Sequence, residues 1–385
     1  MLPTEVRGVL ETKNIVVVGM GFIGGFLYPG YEMLLGDRVA TNVAVIKATD
    51  KDLDALRSRY PFAITVDNTL EVLRERRPDI VVMCPPPPQI PGIISSALVP
   101  YFSEVRREGI PLPDIYTFGP VPDPQYYYTR LGGDIHCVKF LPSMMETVGG
   151  VSLEKYGASF LVFTPGDPFP PERRQRAIDL SNLFGRTFLL PHDQSLYALS
   201  SKNTAHTCFE ISYAVSEALQ ELGCPVTTSD VGSAMRASYR RAMGLSGDGV
   251  CASSTRDVPE KIGDFIGSVT MAWYKGILRY ILDMGCDEAL ARDFHGANFE
   301  SLLCTVQLAT RAELEESTRN HATKGGVNEK AIEVFMAYFY GQLKEAVRRH
   351  MAGQSSESFY DVAEGMAYTI DQAVHRHAYR LAGTF

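Results

Sequence analysis

The sequence predicts an α/β half followed by an all-helical half, and three observations carry that expectation. Short apolar runs of four to six residues alternate with helical patterns up to about Pro191. Beyond Leu196 the strand pattern stops, and long amphipathic segments run to the end. A cluster of glycines follows the first apolar run, where a chain must turn sharply from strand into helix.

Taken in order, "NIVVVG" is a short buried strand, and a helix follows from about Phe22. "TNVAVIKA", "FAITV" and "DIVVMC" are the next three strands, separated by the helical "KDLDALRSRY" and "NTLEVLRERR". Apolar runs joined through helices read as βαβ units of a parallel sheet buried on both faces. "DIYTFG", "IHCVKFL", "ASFLVFT" and "TFLLP" extend the sheet, with "PERRQRAIDLSNLF" as a helix before the last of them. "CPPPPQIPG" reads as a rigid loop. The second half contains "TAHTCFEISYAVSEALQELG", "VPEKIGDFIGSVTMAWYKGILRYILDMG", "FESLLCTVQLATRAELEEST", "NEKAIEVFMAYFYGQLKEAVRRHM" and "YDVAEGMAYTIDQAVHRHAYRLA". The expected division is residues 1–193 and 194–385.

Composition narrows the function. A chain of 385 residues with 45% hydrophobic and 21% charged residues is globular and long enough for two cores. Its net charge of −8 argues against nucleic acid, whose phosphates call for clustered Lys and Arg. Ile15–Tyr31 carries no charge, but its glycines and Pro29 fit a strand, turn and helix rather than a membrane span. The first fourteen residues lack the apolar core of a secretory signal. Seven cysteines without CxxC spacing suggest reduced thiols and a cytoplasmic location. Metal-ligand spacing is also missing, so no metal is expected.

"VVVGMGFIGG" carries the strongest motif. Gly19, Gly21 and Gly24 follow a strand and open a helix in G-x-G-x-x-G spacing. The first glycine allows the tight turn, the second the approach of a pyrophosphate, and the third close helix–strand packing. With Met20, Phe22 and Ile23 between them, these residues make a dinucleotide cradle at a helix N-terminus. The half is therefore a Rossmann domain, with a glycine-rich structural turn as the plainer alternative. At the end of the second strand Lys47 and Thr49 precede Asp50, which favours NADP(H) over NAD(H). Asn68 either touches the adenosine ribose or caps the next helix. Cys84, Pro85 and Pro86 follow the fourth strand at the sheet's carboxyl edge, where a nicotinamide would rest.

The order of motifs resembles the pyrroline-5-carboxylate reductase family over most of residues 13–350. Besides the glycine turn, "YPFAITVDNTLEVLRERRPDIVVMCPPPPQ" is similar to that family's third and fourth strands and Lys-Pro loop. "HCVKFLPSMMETVGGV" resembles its RxMPNTPxxxGxG, "LYALSSKNTAHTCFEISYAVSEALQELG" its ALSGSGPAYxFxxxEA helix, and "HATKGGVNEKAI" its VTSPGGTTxxAL loop. The resemblance implies an α/β Rossmann domain followed by an all-α domain for dimerisation and substrate binding. It also implies NAD(P)H-dependent reduction of a C=N bond in a small carboxylate-bearing imine. The departures concern the substrate. Met-Pro-Asn becomes Leu141, Pro142 and Ser143, and the Lys of the Lys-Pro loop is Pro87. The threonine pair that would hold the imine's carboxylate becomes Val327 and Asn328.

Candidate site residues follow. Lys202 and His206 lie four apart, one helical face in an α-helix, and the resembled family places this helix start beside substrate. Lys202 donates a proton or binds a carboxylate, with Asn203 fixing the same group; a solvated first-turn lysine and a core histidine are the plainer alternatives. The β-hydroxyacid and 6-phosphogluconate dehydrogenases carry an Asn and a catalytic Lys on a comparable helix, by analogy only. His321 is an acid or ligand before the Gly-Gly loop, or a surface residue. Ser143, Thr323, Gly325, Gly326 and Asn328 are expected at the substrate; the two glycines cost about 2 kcal/mol inside a helix, so a loop is expected there. The glycines alternatively end one helix and start another, with Asn328 as N-cap. A homodimer through the helical half, a β-hydroxyacid- or opine-type dehydrogenase, and a non-catalytic dinucleotide sensor complete the expectations.

Overall fold

A computed structural model describes residues 14–19, 31–32, 35–60, 63–118, 121–142, 147–148, 151–152, 158–167, 169–182, 184–191, 197–246, 258–322 and 324–383. The chain divides into two compact units: residues 1–145, 158–195 and 381–385 form one, and 146–157 with 196–380 form the other.

The first unit is built on a sheet of β1 (Ile15–Val18), β2 (Val43–Lys47), β3 (Ala63–Val66), β4 (Ile80–Met83), β5 (Asp114–Thr117) and β6 (His136–Leu141). The small hairpin β7 (Thr147–Val148) and β8 (Val151–Ser152) belongs to the second unit. β9 (Ala158–Phe163) and β10 (Arg186–Leu189) return to the sheet. Its order is β10-β9-β6-β5-β4-β1-β2-β3. β1 to β6 are parallel in the order 3-2-1-4-5-6, a doubly wound sheet, while β9 runs antiparallel to β6. The direction of the chain's winding reverses between β1 and β4.

Helices cover both faces, which explains the unbroken apolar runs. Ile15 and Val17 enter one core with Val43, Val45 and Phe140, whereas Val16 and Val18 enter another with Ala44, Ile46 and Leu98. Full burial of such a side chain stabilises by about 1.5–3 kcal/mol, so each strand is held from two sides. The described helices of this unit include α1 (Leu53–Arg59), α2 (Thr69–Arg76), α3 (Val99–Glu108), α4 (Pro124–Leu131) and α5 (Pro171–Asn182). The segment "CPPPPQIPG" differs from a plain loop. Pro87–Gln89 makes a 3-10 turn that runs into the helical turn Ile90–Ile93 and on through Ile94–Leu98 to α3. Proline tolerates a first helical turn because its missing N–H has no partner there anyway.

The second unit consists mainly of α6 (Cys208–Glu221), α7 (Thr228–Ala242), α8 (Glu260–Asp283), α9 (Glu288–Leu308), α10 (Arg311–His321), α11 (Val327–Tyr338), α12 (Tyr340–Met351) and α13 (Glu357–Ala382). Trp273 of α8 is fully buried and packs its ring on Phe335 and Phe339. Close approaches rest on glycine: a Cβ at Gly276 would meet the Glu364 carbonyl oxygen at 2.3 Å, and one at Gly232 the Val306 carbonyl carbon at 2.6 Å.

Three features differ from expectation. α7 lacked a clear apolar stripe in the sequence, yet a reciprocal Thr227–Asp230 capping box starts it. The segment through Ala309 is two helices, because Thr310 caps α10 with Glu313. The next segment breaks at Phe339, which ends α11 and precedes α12.

Candidate functional site

The first candidate region is the carboxyl end of β1. Gly19 has φ +103, a conformation that side chains disfavour. Its N–H donates to the Ile46 carbonyl at 2.8 Å, while the Cys84 N–H donates to the Val18 carbonyl at 2.8 Å. These bonds draw the ends of β2, β1 and β4 together. A Cβ on Gly19 would lie 2.8 Å from both the Cys84 carbonyl carbon and the Pro85 nitrogen. The first glycine of the motif is thus required twice, by its φ and by the backbone against it. Met20, Gly21, Phe22, Ile23 and Gly24 lie outside the described residues. What is described fits a dinucleotide: the turn sits at the carboxyl ends of the paired strands β1 and β4, between which the winding reverses, the position at which open α/β sheets bind such ligands.

Around it, Lys47 is half-buried at the end of β2 and Thr49 is exposed. The Lys47 carbonyl accepts the Asp67 N–H at 2.9 Å. Asn68 occupies the N-cap position of α2 and is exposed, but its side chain makes no capping bond. Pro85 is buried and Pro86 exposed. Burial pushes the Cys84 thiol well up, so it stays protonated and is a poor nucleophile. One residue here escaped the sequence reading. Lys139 of β6 is 1% exposed and pairs with Asp123 at 3.3 Å, and burial lowers its pKa. A lysine inside the otherwise apolar "HCVKFL" was the available signal.

The second candidate region lies in the helical unit. Between the short helix Tyr197–Leu199 and α6, residues Ser200–Thr204 form a π turn. The α-helical spacing expected of Lys202 and His206 is therefore corrected, since one extra residue enters the turn between them. The hydroxyls of the turn are buried and anchored: Ser200 Oγ lies 3.1 Å from His375 Nε2, Ser201 Oγ 3.3 Å from His295 Nδ1, and Thr204 donates to Asp371. His295 is pinned in turn at 3.3 Å from the Tyr274 carbonyl, and burial pushes its pKa down to about 3. With these groups turned inward, Lys202 and Asn203 are the half-buried members of the turn. Desolvation lowers the Lys202 pKa to about 7. His206 is 5% exposed and stacks on Phe209 with ring centroids 4.2 Å apart, a core environment.

The π turn packs against α11, whose start carries the Gly-Gly loop. Gly325 has φ +75, its N–H donates to Glu329 Oε2 at 2.7 Å, and its carbonyl lies 2.9 Å from His377 Nε2. The loop's N–H thus already holds a carboxylate from its own helix. Gly326 is the N-cap of α11, so Asn328 sits inside the first turn rather than capping it. Asn328 is 6% exposed, and its Oδ1 has no hydrogen-bond partner among the described residues. Ser143 and Thr323 lie outside the described residues, as does the His321 side chain, although His321 ends α10. Among the described residues no three His, Cys, Asp or Glu side chains group as metal ligands, and no helix is long and apolar enough to cross a membrane.

Glu210 also went unrecognised, although a carboxylate within "TCFEISYAV" stands out among apolar neighbours. It is 3% exposed, and its Oε2 has no partner among the described residues. Burial pushes its pKa up to about 8. The folded state therefore keeps a proton that the unfolded state releases near pH 4.5, and stability falls as pH rises from there to about 8. Glu210→Gln is expected to remove that slope and to be more stable than the parent at pH 8 by a few kcal/mol, since each unit is worth about 1.4 kcal/mol. Urea midpoints between pH 5 and 7 test this below the range where Lys202 acts in the opposite sense. An unchanged slope in the variant would refute the assignment.

The sheet and the helical half define a two-unit architecture: a doubly wound α/β unit and an all-helical one. No family model and no curated protein sequence matches the chain. Among solved structures it is similar to a pyrroline-5-carboxylate reductase from Coxiella burnetii, at 15% identity and TM-score 0.40, covering 93% of this chain and 98% of that one. It is also similar to Plasmodium falciparum pyrroline carboxylate reductase with NADP bound, at 11% identity and TM-score 0.37, over 94% and 99% of the two chains. A prephenate dehydrogenase from A. aeolicus, in complex with hydroxyphenyl propionate and NAD+, matches at 14% identity and TM-score 0.37, over 89% and 99%. Identities and scores this low leave the choice of substrate to the chain's own residues.

Proposed function

We propose that the chain is an NAD(P)H-dependent reductase of a C=N bond in a small carboxylate-bearing imine. The observation that carries this reading is the Gly19 turn, closed against Cys84 and Pro85 at the carboxyl ends of β1 and β4, between which the winding of the sheet reverses. In this reading Gly19, Gly21 and Gly24 cradle the pyrophosphate, and Lys47 and Thr49 meet a 2′-phosphate, hence NADP(H). The bound dinucleotide supplies a hydride to an electron-poor carbon. Lys202, whose pKa of about 7 leaves it partly protonated at neutral pH, delivers the proton to the nitrogen. Asn203 orients the carboxylate. Asn328 Oδ1 accepts a substrate N–H, which gives its buried oxygen a partner. A homodimer through the helical half belongs to the same reading.

A half-neutral lysine is equally suited to accept a proton from an alcohol, which favours β-hydroxyacid-type oxidation as the second reading. A screen of NADPH and NADH oxidation over cyclic imines, and over 2-keto acids with and without amines, separates the two. Turnover of at least one C=N substrate, faster with NADPH, is expected. Turnover of keto acids alone would move the assignment to the second reading. Cofactor binding without oxidation of any substrate would replace both with a dinucleotide sensor.

A further inference from the structure

We infer that the C-terminal helix α13 is the positioning element of the proposed substrate site: Asp371 and His375 hold the π turn that carries Lys202 and Asn203, and His377 holds the Gly-Gly loop. The inference rests on the site reading given above, yet none of the three residues has to touch substrate for it. α13 spans Glu357–Ala382, beyond the stretch over which the sequence resembles the reductase family.

The helix is itself firmly seated. Ala363, Ala367, Ile370, Val374 and Ala378 make a stripe at helical spacing and are at most 1% exposed. Its backbone lies so close to α8 that Gly276 has no room for a Cβ beside the Glu364 carbonyl. From this support α13 reaches the π turn at two points. Asp371 and His375 are four apart and share one face. Thr204 donates to Asp371, and Ser200 Oγ lies 3.1 Å from His375 Nε2, so the turn and the helix pair in opposite directions. Two points fix both the place and the rotation of the turn, where one would leave a pivot. All four side chains are at most 2% exposed, and the His375 ring packs edge-on against Tyr280. Lys202 and Asn203 lie between the two attachment points.

Six residues beyond Asp371, about 9 Å along the helix, the same element meets the other half of the site. His377 Nε2 is 2.9 Å from the Gly325 carbonyl, which can only accept, so this nitrogen carries the proton. With the Gly325 N–H held by Glu329, both backbone polar groups of the glycine are bound, and the loop enters α11 in a fixed conformation ahead of Asn328. α13 therefore ties the proposed proton donor and the proposed substrate loop to one rigid support. The ionisable groups bonded to the turn include Asp371 and His375 from α13 and His295 from α9, while α8 presents the Trp273 N–H to the Thr204 carbonyl at 3.5 Å. Desolvation is the cause of the low Lys202 pKa, so that pKa reports how tightly the turn is held.

Competitive labelling of the full chain with acetic anhydride from about pH 5 to 11, read at Lys202 by mass spectrometry, tests the π-turn half. Labelling follows the neutral amine and is expected to be half-maximal near pH 7 in the parent. Asp371→Leu and Thr204→Val remove the same bond from its two ends. Each should admit water to Lys202 and move the midpoint up by at least about one unit toward the ordinary lysine value. Valine keeps threonine's branched shape, so the result does not depend on Asp371→Leu folding. Burial holds the Asp371 carboxyl well above the usual carboxylate range, hence neutral, so Asp371→Asn keeps an uncharged acceptor and should leave the midpoint near 7. For the loop, His377→Ala should speed hydrogen exchange over residues 325–330 at least about tenfold and raise KM more than it lowers kcat. His377→Gln, whose amide can still donate to Gly325, should restore both. An unmoved midpoint in Asp371→Leu and Thr204→Val, an equal shift in Asp371→Asn, or unchanged exchange in His377→Ala would overturn the inference. Labelling and exchange need no turnover, so a chain that reduces no imine would refute the proposed function and still leave these two readouts to decide the role of α13.

Discussion

Gly19→Ala is expected to abolish dinucleotide binding and to destabilise the first unit. At φ +103 an alanine pays about 1–3 kcal/mol in backbone strain before any contact is counted. Its Cβ would also stand 2.8 Å from two backbone atoms of Cys84 and Pro85, and neither is the end of a flexible side chain. Relief requires the carboxyl ends of β1 and β4 to move apart. That movement strains the bonds from Gly19 N–H to the Ile46 carbonyl and from Cys84 N–H to the Val18 carbonyl. A combined loss of about 2–4 kcal/mol of stability is expected. Quenching of bound NADPH fluorescence should show affinity reduced well beyond tenfold, and chemical denaturation should show the lower midpoint. A variant that binds NADPH like the parent would remove the turn from the cofactor site. Unchanged stability would mean that the close approach of Cys84 and Pro85 yields at little cost.

The sheet was legible because its strands are buried on both faces. Val16 and Val18 pack into one core and Ile15 and Val17 into the other, so the strand reads as an uninterrupted apolar run whose boundaries are sharp. The helix breaks at Thr310 and Phe339 were not legible, because the apolar periodicity continues across them. α7 was missed because Gly232, Ser229 and Ser233 dilute its stripe. These small residues are what lets it approach α9, and Gly232 would clash with Val306 if it carried a Cβ. The π turn has no local sequence signature. It exists because Ser200, Ser201 and Thr204 find partners about a hundred or more residues away, in His375, His295 and Asp371. The residue types of the candidate site were therefore visible, whereas the geometry that desolvates Lys202 depends on tertiary packing. Glu210 and Lys139 show the complementary case, in which a charge inside an apolar segment signals an unusual environment without saying which.

Lys202→Met is expected to reduce kcat by roughly 10²–10⁴-fold, the usual contribution of a positioned general acid, while NADPH affinity stays within about threefold of the parent. Methionine matches the length of the lysine stem and is apolar, so the desolvated position should accept it without loss of fold. The pH dependence gives the sharper criterion. For imine reduction the protonated lysine is the active form, so kcat/KM should decline as pH rises through about 7. That limb should vanish in the methionine variant. Lys202→Arg then separates the two roles open to the residue. A guanidinium stays charged at any pH a folded protein survives, so it can hold a carboxylate but cannot deliver a proton near neutrality. If Lys202 is the proton donor, the arginine variant should recover KM but not kcat. Recovery of both would make Lys202 a binding residue, and the proton would then have to come from another group or from water. An unaltered kcat and pH profile in the methionine variant would remove Lys202 from the chemistry, leaving its low pKa as a consequence of burial alone.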